Sequence, residues 1–332
     1  MNLYLGRTGS GKPVKVQDAE NPHVFASGRS GFGKTYLLRM LIAQAARQGA
    51  ECLIFDYTSD FRGDTTLEGI PIERINVASP AFSINPLSTM TGHTATVRAQ
   101  QLVELVRSVY RMGPRATTAL VKAVLAYLNE ENDEPSLNSL LTYAQEIERP
   151  GAGLIAALEP LELLNSLVHS GSAPISLDLA SSGLIVLDFN QIISADLQKF
   201  LIELILRTLW DQRTSSQFAD APPLVLVLDE CQNLLWGQSS MSVRILREGR
   251  KFNVGGWFAS QWIRNENAAA ALGQAAIRAY FRPDDQNIRR LAKHLCPTSG
   301  ADLATVQKLV SSLKRGQFLQ QNSSGRVTKI TV

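Results

Sequence analysis

The stretch Gly28-Arg29-Ser30-Gly31-Phe32-Gly33-Lys34-Thr35 places glycines, a lysine and a hydroxyl at the spacing G-x-x-x-x-G-K-[ST]. Such a loop can bind phosphate. Glycines let consecutive backbone N–H groups close around phosphate oxygens, and the N-terminus of a following helix adds partial positive charge. Lys34 can then reach the β- and γ-phosphates of a nucleotide, and the Thr35 hydroxyl can ligate Mg²⁺. The flanks supply the elements this chemistry needs. His23-Val24-Phe25-Ala26-Ser27 reads as a short buried strand, and Leu37, Leu38, Leu41, Ile42 and Ala45 recur at helical spacing. A second stretch, Gly6-Arg7-Thr8-Gly9-Ser10-Gly11-Lys12-Pro13, has nearly the same pattern but fails it. Pro13 offers no hydroxyl to a metal and disfavours a helical conformation at Lys12. That stretch reads as a surface turn.

Acidic chemistry lies further on. Pro223-Leu224-Val225-Leu226-Val227-Leu228 is an apolar run that ends in Asp229-Glu230. In this pattern, Walker B, Asp229 holds Mg²⁺, usually through water, and Glu230 polarises the attacking water. Both must leave a strand at its C-terminal end, where ligands of open α/β sheets bind. A glutamate directly after the metal aspartate argues for hydrolysis, since GTPases usually position water with a glutamine elsewhere. Gln261 follows the apolar run Val254–Ser260 and can contact the γ-phosphate or the attacking water. The segment Arg244-Ile245-Leu246-Arg247-Glu248-Gly249-Arg250-Lys251 is cationic, and a spacing of three puts Arg244, Arg247 and Arg250 near one helical face. Two readings stand: an arginine finger reaching a neighbouring subunit's γ-phosphate, or a solvated basic face that touches nucleic-acid phosphates. Arg282 is a further arginine candidate. His23, His93, His169 and His294 show no ligand or triad spacing.

The elements around these residues alternate. Glu51–Asp56, residues 184–188, 223–228, 254–260 and 276–281 read as strands, 75–77 as a weaker one, and 195–213 as a helix. Residues 318–332 read as a closing hairpin. Near-continuously apolar strands separated by helices imply an α/β fold with a mostly parallel sheet covered on both faces. Ile84-Asn85-Pro86-Leu87 reads as a rigid connector. From about Thr91 to Gly171 the pattern is helical throughout, with Pro114 able to start one helix, Ser136 able to cap another and Pro160 able to kink a fourth. The expected division is a core of residues 1–91 and 173–332 and an all-α insertion of residues 92–172. The chain has 332 residues and a net charge of +3, which permits a polyanionic partner without demanding one. No apolar run reaches membrane-spanning length, and no signal peptide is visible. Cys52, Cys231 and Cys296 are scattered, in keeping with reduced thiols and a cytoplasmic location.

In their order these pieces resemble the HerA/FtsK superfamily of P-loop ATPases, which includes HerA-type DNA translocases, conjugative coupling proteins and type IV secretion ATPases. Leu3-Tyr4-Leu5-Gly6 with Pro13-Val14 is similar to the lead-in to the HerA phosphate loop. Asp56-Tyr57-Thr58-Ser59-Asp60-Phe61 is similar to that family's Asp-Pro-x-Gly-Glu-Tyr, and Ile84-Asn85-Pro86-Leu87 to its Asn-Pro-Leu element, after which a helical insertion is common. Leu228-Asp229-Glu230, Arg247 to Lys251 and Ala259-Ser260-Gln261 follow in the family's order, and Arg282 and Gly316 fall in familiar places. The resemblance covers nearly the whole chain. It implies a RecA-like core, ATP and Mg²⁺ as ligands, and a ring that is usually hexameric. It also implies an arginine finger acting in trans, with Arg250 first and Arg247 next as candidates. The preceding β-barrel of HerA and the transmembrane helices of coupling proteins have no counterpart in the sequence, and Phe32 stands where a small residue is usual. The expectation is a Mg²⁺-dependent ATPase moving double-stranded DNA, with nuclease or secretion and conjugation proteins as partners. The alternative is ATP-driven assembly or protein secretion without DNA. A small-molecule kinase would have no evident use for the helical insertion or the arginine segment.

Overall fold

The computed structural model describes the chain except residues 17–20, 58, 80–81, 88–93, 131–134, 147–151, 168–182, 216–217, 219 and 323. Thr58, Thr91, His93, His169 and the expected boundaries at 91/92 and 172/173 lie outside the described residues. The rest forms two compact units. One is drawn from Met1–Arg74, Leu179–Val186 and Ala221–Val332, the other from Ile75–Asp178 and Leu187–Asp220.

The strands, in chain order, are β1 (Leu3–Thr8), β2 (Pro13–Val16), β3 (Val24–Ser27), β4 (Glu51–Asp56), β5 (Thr66–Leu67), β6 (Ile70–Pro71) and β7 (Glu73–Asn76). They continue with β8 (Leu184–Asp188), β9 (Leu224–Leu228), β10 (Val254–Ser260), β11 (Ile277–Phe281), β12 (Gln317–Gln321) and β13 (Val327–Thr331). The main sheet runs β2-β1-β13-β12-β11-β3-β10-β9-β4-β8-β7. Its centre, β11-β3-β10-β9-β4, is parallel, as the apolar runs predict. From β11 outwards through β12, β13, β1 and β2 the pairing is antiparallel, which short turns allow. The β1–β2 turn holds the look-alike glycine stretch: the Gly11 amide donates to the Thr8 carbonyl at 2.9 Å, with Gly11 at φ 79°. It is a turn, as expected.

Every residue of β3, β4, β9 and β10 is buried, so both faces of the sheet centre are covered. Helix α1 (Lys34–Arg47) covers one face. Its Leu37, Leu38, Leu41, Ile42 and Ala45 cluster with Val24, Ala26, Cys52, Ile54, Val225, Val227, Trp257 and Ala259. The strand partners alternate along each strand, the period of two that one sheet face requires. Each Leu or Ile buried here contributes about 2 kcal/mol. Register then aligns the strand ends: Ser27 pairs with Ser260, and Leu228 with both Phe258 and Phe55. The residues just after β3, β4, β9 and β10 therefore leave the sheet along one edge.

The second unit is mainly helical: α2 (Ala95–Val109), α3 (Pro114–Asn129), α4 (Leu137–Glu146), α5 (Ala152–Leu167) and α6 (Ala195–Thr214). Local chemistry sets its boundaries. Thr94 and Ser194 cap α2 and α6, Pro114 opens α3, and Ser136 Oγ accepts from the Ser139 amide at 3.1 Å. Helix α5 continues through Pro160. Buried Leu102, Val106, Leu120, Val124, Leu140, Leu158, Leu161 and Leu164 fill the helix contacts. Asn85 of the connector is buried, donating to the Pro135 carbonyl at 2.7 Å and accepting from the Leu87 amide at 2.9 Å. Among the described residues no helix is long and apolar enough to cross a membrane.

The first unit is completed by α7 (Met241–Glu248), a 3-10 turn at Gly249–Phe252, α8 (Glu266–Leu272), α9 (Ile288–Ser299) and α10 (Leu303–Ser311).

Candidate nucleotide site

The chain turns from β3 into α1 through residues 28–33. Gly28 has φ 147°, and a Cβ there would lie 2.6 Å from Phe281 Cβ. Gly33, at φ 113°, caps α1. Side chains at these two positions would be strained, so glycine is a requirement of the loop. The loop is tied to its neighbours by backbone bonds: Gly28 donates to Ser260, Arg29 to Arg282, and Gly316 to Phe32, at 3.0–3.2 Å. The Arg29 guanidinium stacks 4.2 Å from the Phe32 ring centroid. Lys34 is 6% exposed, its Nζ donating to the Arg29 carbonyl at 3.4 Å. A cavity of about 430 Å³ opens here, lined in part by Gly33, Lys34, Thr35, Asp60, Glu230 and Arg315.

Asp229 and Glu230 leave β9 beside this loop. Thr35 Oγ1 donates to Asp229 Oδ2 at 3.0 Å, and the Glu230 amide donates to Asp229 Oδ1 at 2.7 Å. Burial pushes the Asp229 carboxyl above its usual value, and the adjoining Glu230 charge adds to this; the Glu230 amide, Thr35 and Lys34 pull it back. A hydroxyl and a buried carboxylate in direct contact fit Mg²⁺, which takes few protein ligands and fills its remaining positions with water and phosphate. Among the described residues no cluster of three His, Cys, Asp or Glu side chains forms an alternative metal cage.

Glu230 has φ 44° and ψ 42°, the left-handed region, uncommon for any residue but glycine. Its carboxylate accepts from Gln261 Nε2 at 3.1 Å and from Gln232 Nε2. Just beyond β4, the Tyr57 hydroxyl is buried with no hydrogen-bond partner among the described residues, and burial, then Cys231, Asp229 and Glu230, hold its pKa well above the usual value.

Lys34, Thr35, Asp229, Glu230 and Gln261 thus come together. The arginines do not join them. Arg247 is exposed on α7 and Arg250 is exposed in the 3-10 turn. Arg250 lines a separate cavity with His23, Val24, Asn253 and Ile277, at the N-terminal ends of β3 and β11. Arg282 pairs with Asp285 at 2.9 Å. Arg315 has no local sequence signal, and the β11–β12 connection brings it to the site; Gln232 lies two residues after Glu230 and reaches back to it, but nothing in the sequence pattern marks it. Asp60 carries a partial signal, because its amide closes a turn on Asp56 Oδ1 at 3.1 Å within the phrase Asp56–Phe61.

Residues 13–209 match the family described as "Helicase HerA, central domain". No curated protein matches the sequence. Among solved structures, VirB4 of Thermoanaerobacter pseudethanolicus aligns at TM-score 0.75 and 17% identity, over 99% of this chain and 95% of that one. The bacterial conjugative coupling protein TrwBdeltaN70, crystallised with sulphate, aligns at TM-score 0.66 and 13% identity, over 98% and 89%. The plasmid coupling protein TrwB with a non-hydrolysable ATP analogue aligns at 0.65 and 14%, over 98% and 89%. At such identities the structural likeness is one of fold, the RecA-like P-loop fold. The family match covers more than half of the chain and includes the phosphate loop, so the chain belongs to the helicase HerA central-domain family and is a P-loop ATPase of the HerA/FtsK type.

Proposed function

We propose that this ATPase is a motor that couples hydrolysis of ATP to movement of double-stranded DNA, as an oligomeric ring in the cytoplasm. The convergence of Lys34, Thr35, Asp229, Glu230 and Gln261 on one sheet edge carries the reading. Lys34 and the loop amides bind the β- and γ-phosphates. Thr35 and Asp229 hold the metal, Glu230 takes a proton from the attacking water, and Gln261 senses the γ-phosphate. Bound Mg²⁺ neutralises charge that develops on the phosphates. Arg250 lies at the far end of the parallel strands from its own chain's loop, which favours a role in a neighbouring copy's site, with Arg247 next. The helices of residues 92–172 act as an insertion that recruits substrate or partner, such as a nuclease or a conjugation protein.

The test is the steady-state ATPase rate with and without long double-stranded DNA, at low and moderate salt, with Lys34→Ala as blank. Strong stimulation that fades with salt is expected, because phosphate contacts release counterions. Turnover indifferent to DNA would overturn the DNA reading. A second reading, assembly or secretion through protein partners, draws on α5, which exposes Ile155 and Leu163. DNA-independent turnover favours it.

A further inference from the structure

Both oxygens of the Glu230 carboxylate are already engaged, Oε1 by Gln261 and Oε2 by Gln232. The orientation of the Gln232 amide follows from chemistry. An ionised carboxylate only accepts, so the NH₂ end faces Glu230; the carbonyl end accepts the Ser260 hydroxyl at 2.6 Å. Each oxygen keeps a second lone pair, but the two amides fix the direction in which the carboxylate faces, and it turns towards a water only when one of them lets go. Its backbone, in the left-handed region, is strained in the same state.

Gln232 also faces a second place. It lines a cavity of about 280 Å³ with Trp236, Trp262, Ile263 and Arg264. Gln232 thus touches both Glu230 and this cavity, and Trp262, which lines it, directly follows Gln261 in the chain. Arg264 is exposed, and the Arg290 guanidinium lies 5.6 Å from the Trp262 ring centroid. Two cations beside an aromatic ring suit nucleic acid, whose phosphates need charge and whose sugars offer apolar surface.

We propose that Gln232 and Gln261 hold Glu230 in a restrained state, and that nucleic acid seated against Trp262 and Arg264 draws Gln232 away and releases the base. The second clause rests on the DNA-motor reading; the first does not. Gln232 is then a positioning residue that regulates the reaction through Glu230.

Gln232→Leu keeps the side-chain volume and removes both amide bonds, at an exposed position. In the full chain without nucleic acid, kcat is expected to rise about fivefold, the scale of one lost hydrogen bond, with KM for ATP unchanged. The ratio of rates with and without long double-stranded DNA should shrink accordingly. Ser260→Ala frees the other end of the amide and should act in the same direction, more weakly. A fall or no change in kcat, with melting temperature and ATP affinity preserved, overturns the restraint. If Gln232→Leu melts early, Ser260→Ala decides by the same criterion. Wild-type turnover that ignores DNA while Gln232→Leu still runs faster keeps the restraint and removes the DNA reading. Equal stimulation of wild type and Gln232→Leu by DNA overturns release through Gln232.

Discussion

Asp229 is 7% exposed, and the raised pKa of its carboxyl means that the folded protein without metal holds this proton more tightly than the unfolded chain. The sign follows from linkage: the stability this group contributes is lost as pH rises from the ordinary value of 3.8 through the raised one, so near neutral pH the buried charge opposes folding. Asp229→Asn is therefore expected to raise the melting temperature of the metal-free protein near neutral pH while abolishing Mg²⁺-dependent nucleotide binding. A lower melting temperature would show that the carboxylate's bonds to Thr35 and Glu230 outweigh its burial. For Glu230→Gln, ATP binding should persist while turnover falls by about two to four orders of magnitude, the usual weight of a general base. Ordinary turnover in that variant removes Glu230 from its role.

At the scale of elements, β3, β10 and the phosphate loop depend on two tight approaches. The Gly256 amide of β10 donates to His23 Nδ1 at 2.9 Å, just before β3, which places the ring proton on Nε2. Burial lowers the His23 pKa from 6.5 to about 4. A depressed histidine contributes stability that is fully present above pH 6.5 and is lost as pH falls towards about 4, here up to about 3 kcal/mol. Urea unfolding at about pH 7 and about pH 5 should show roughly half of this loss in the wild type and a smaller one in His23→Gln, whose carbonyl can still accept from Gly256. Equal pH slopes would exclude His23 as the source. The second approach is Gly28 against Phe281, where a Cβ would sit 2.6 Å from another carbon. Gly28→Ala should cost about 1–3 kcal/mol and greatly weaken nucleotide binding, measurable by thermal melts with and without ATP.

For the whole molecule, the position of Arg250 makes a prediction that no single chain can satisfy. Lys34→Ala chains keep Arg250 and lose the site; Arg250→Ala chains keep the site and lose the arginine. Each alone should be nearly inactive, and a mixture should regain a measurable fraction of activity if the arginine serves a neighbour. A mixture no more active than its parts, with oligomers confirmed in solution, moves the role to Arg247 or removes it.

The phosphate loop, the acid pair and the parallel strands were legible in the chain because each is local. A phosphate cradle is made of consecutive residues, a helix shows its buried face every three or four positions, and a buried strand is a short apolar run. Helix starts at Pro114 and Ser136 were legible for the same reason, since these residues act within one turn. Tyr57 and Arg315 were not, because what places them is sheet register and the return of β12, which join residues far apart in sequence; Gln232 lies only two residues after Glu230, but the Ser260 hydroxyl that orients its amide comes from another strand. The sequence alone determined which residues are candidates to bind and cleave a nucleotide; only the tertiary structure decided that Gln261 reaches Glu230 and that Arg250 stands at the other end of the strands. Long-range pairing sets those positions, and no local period records it.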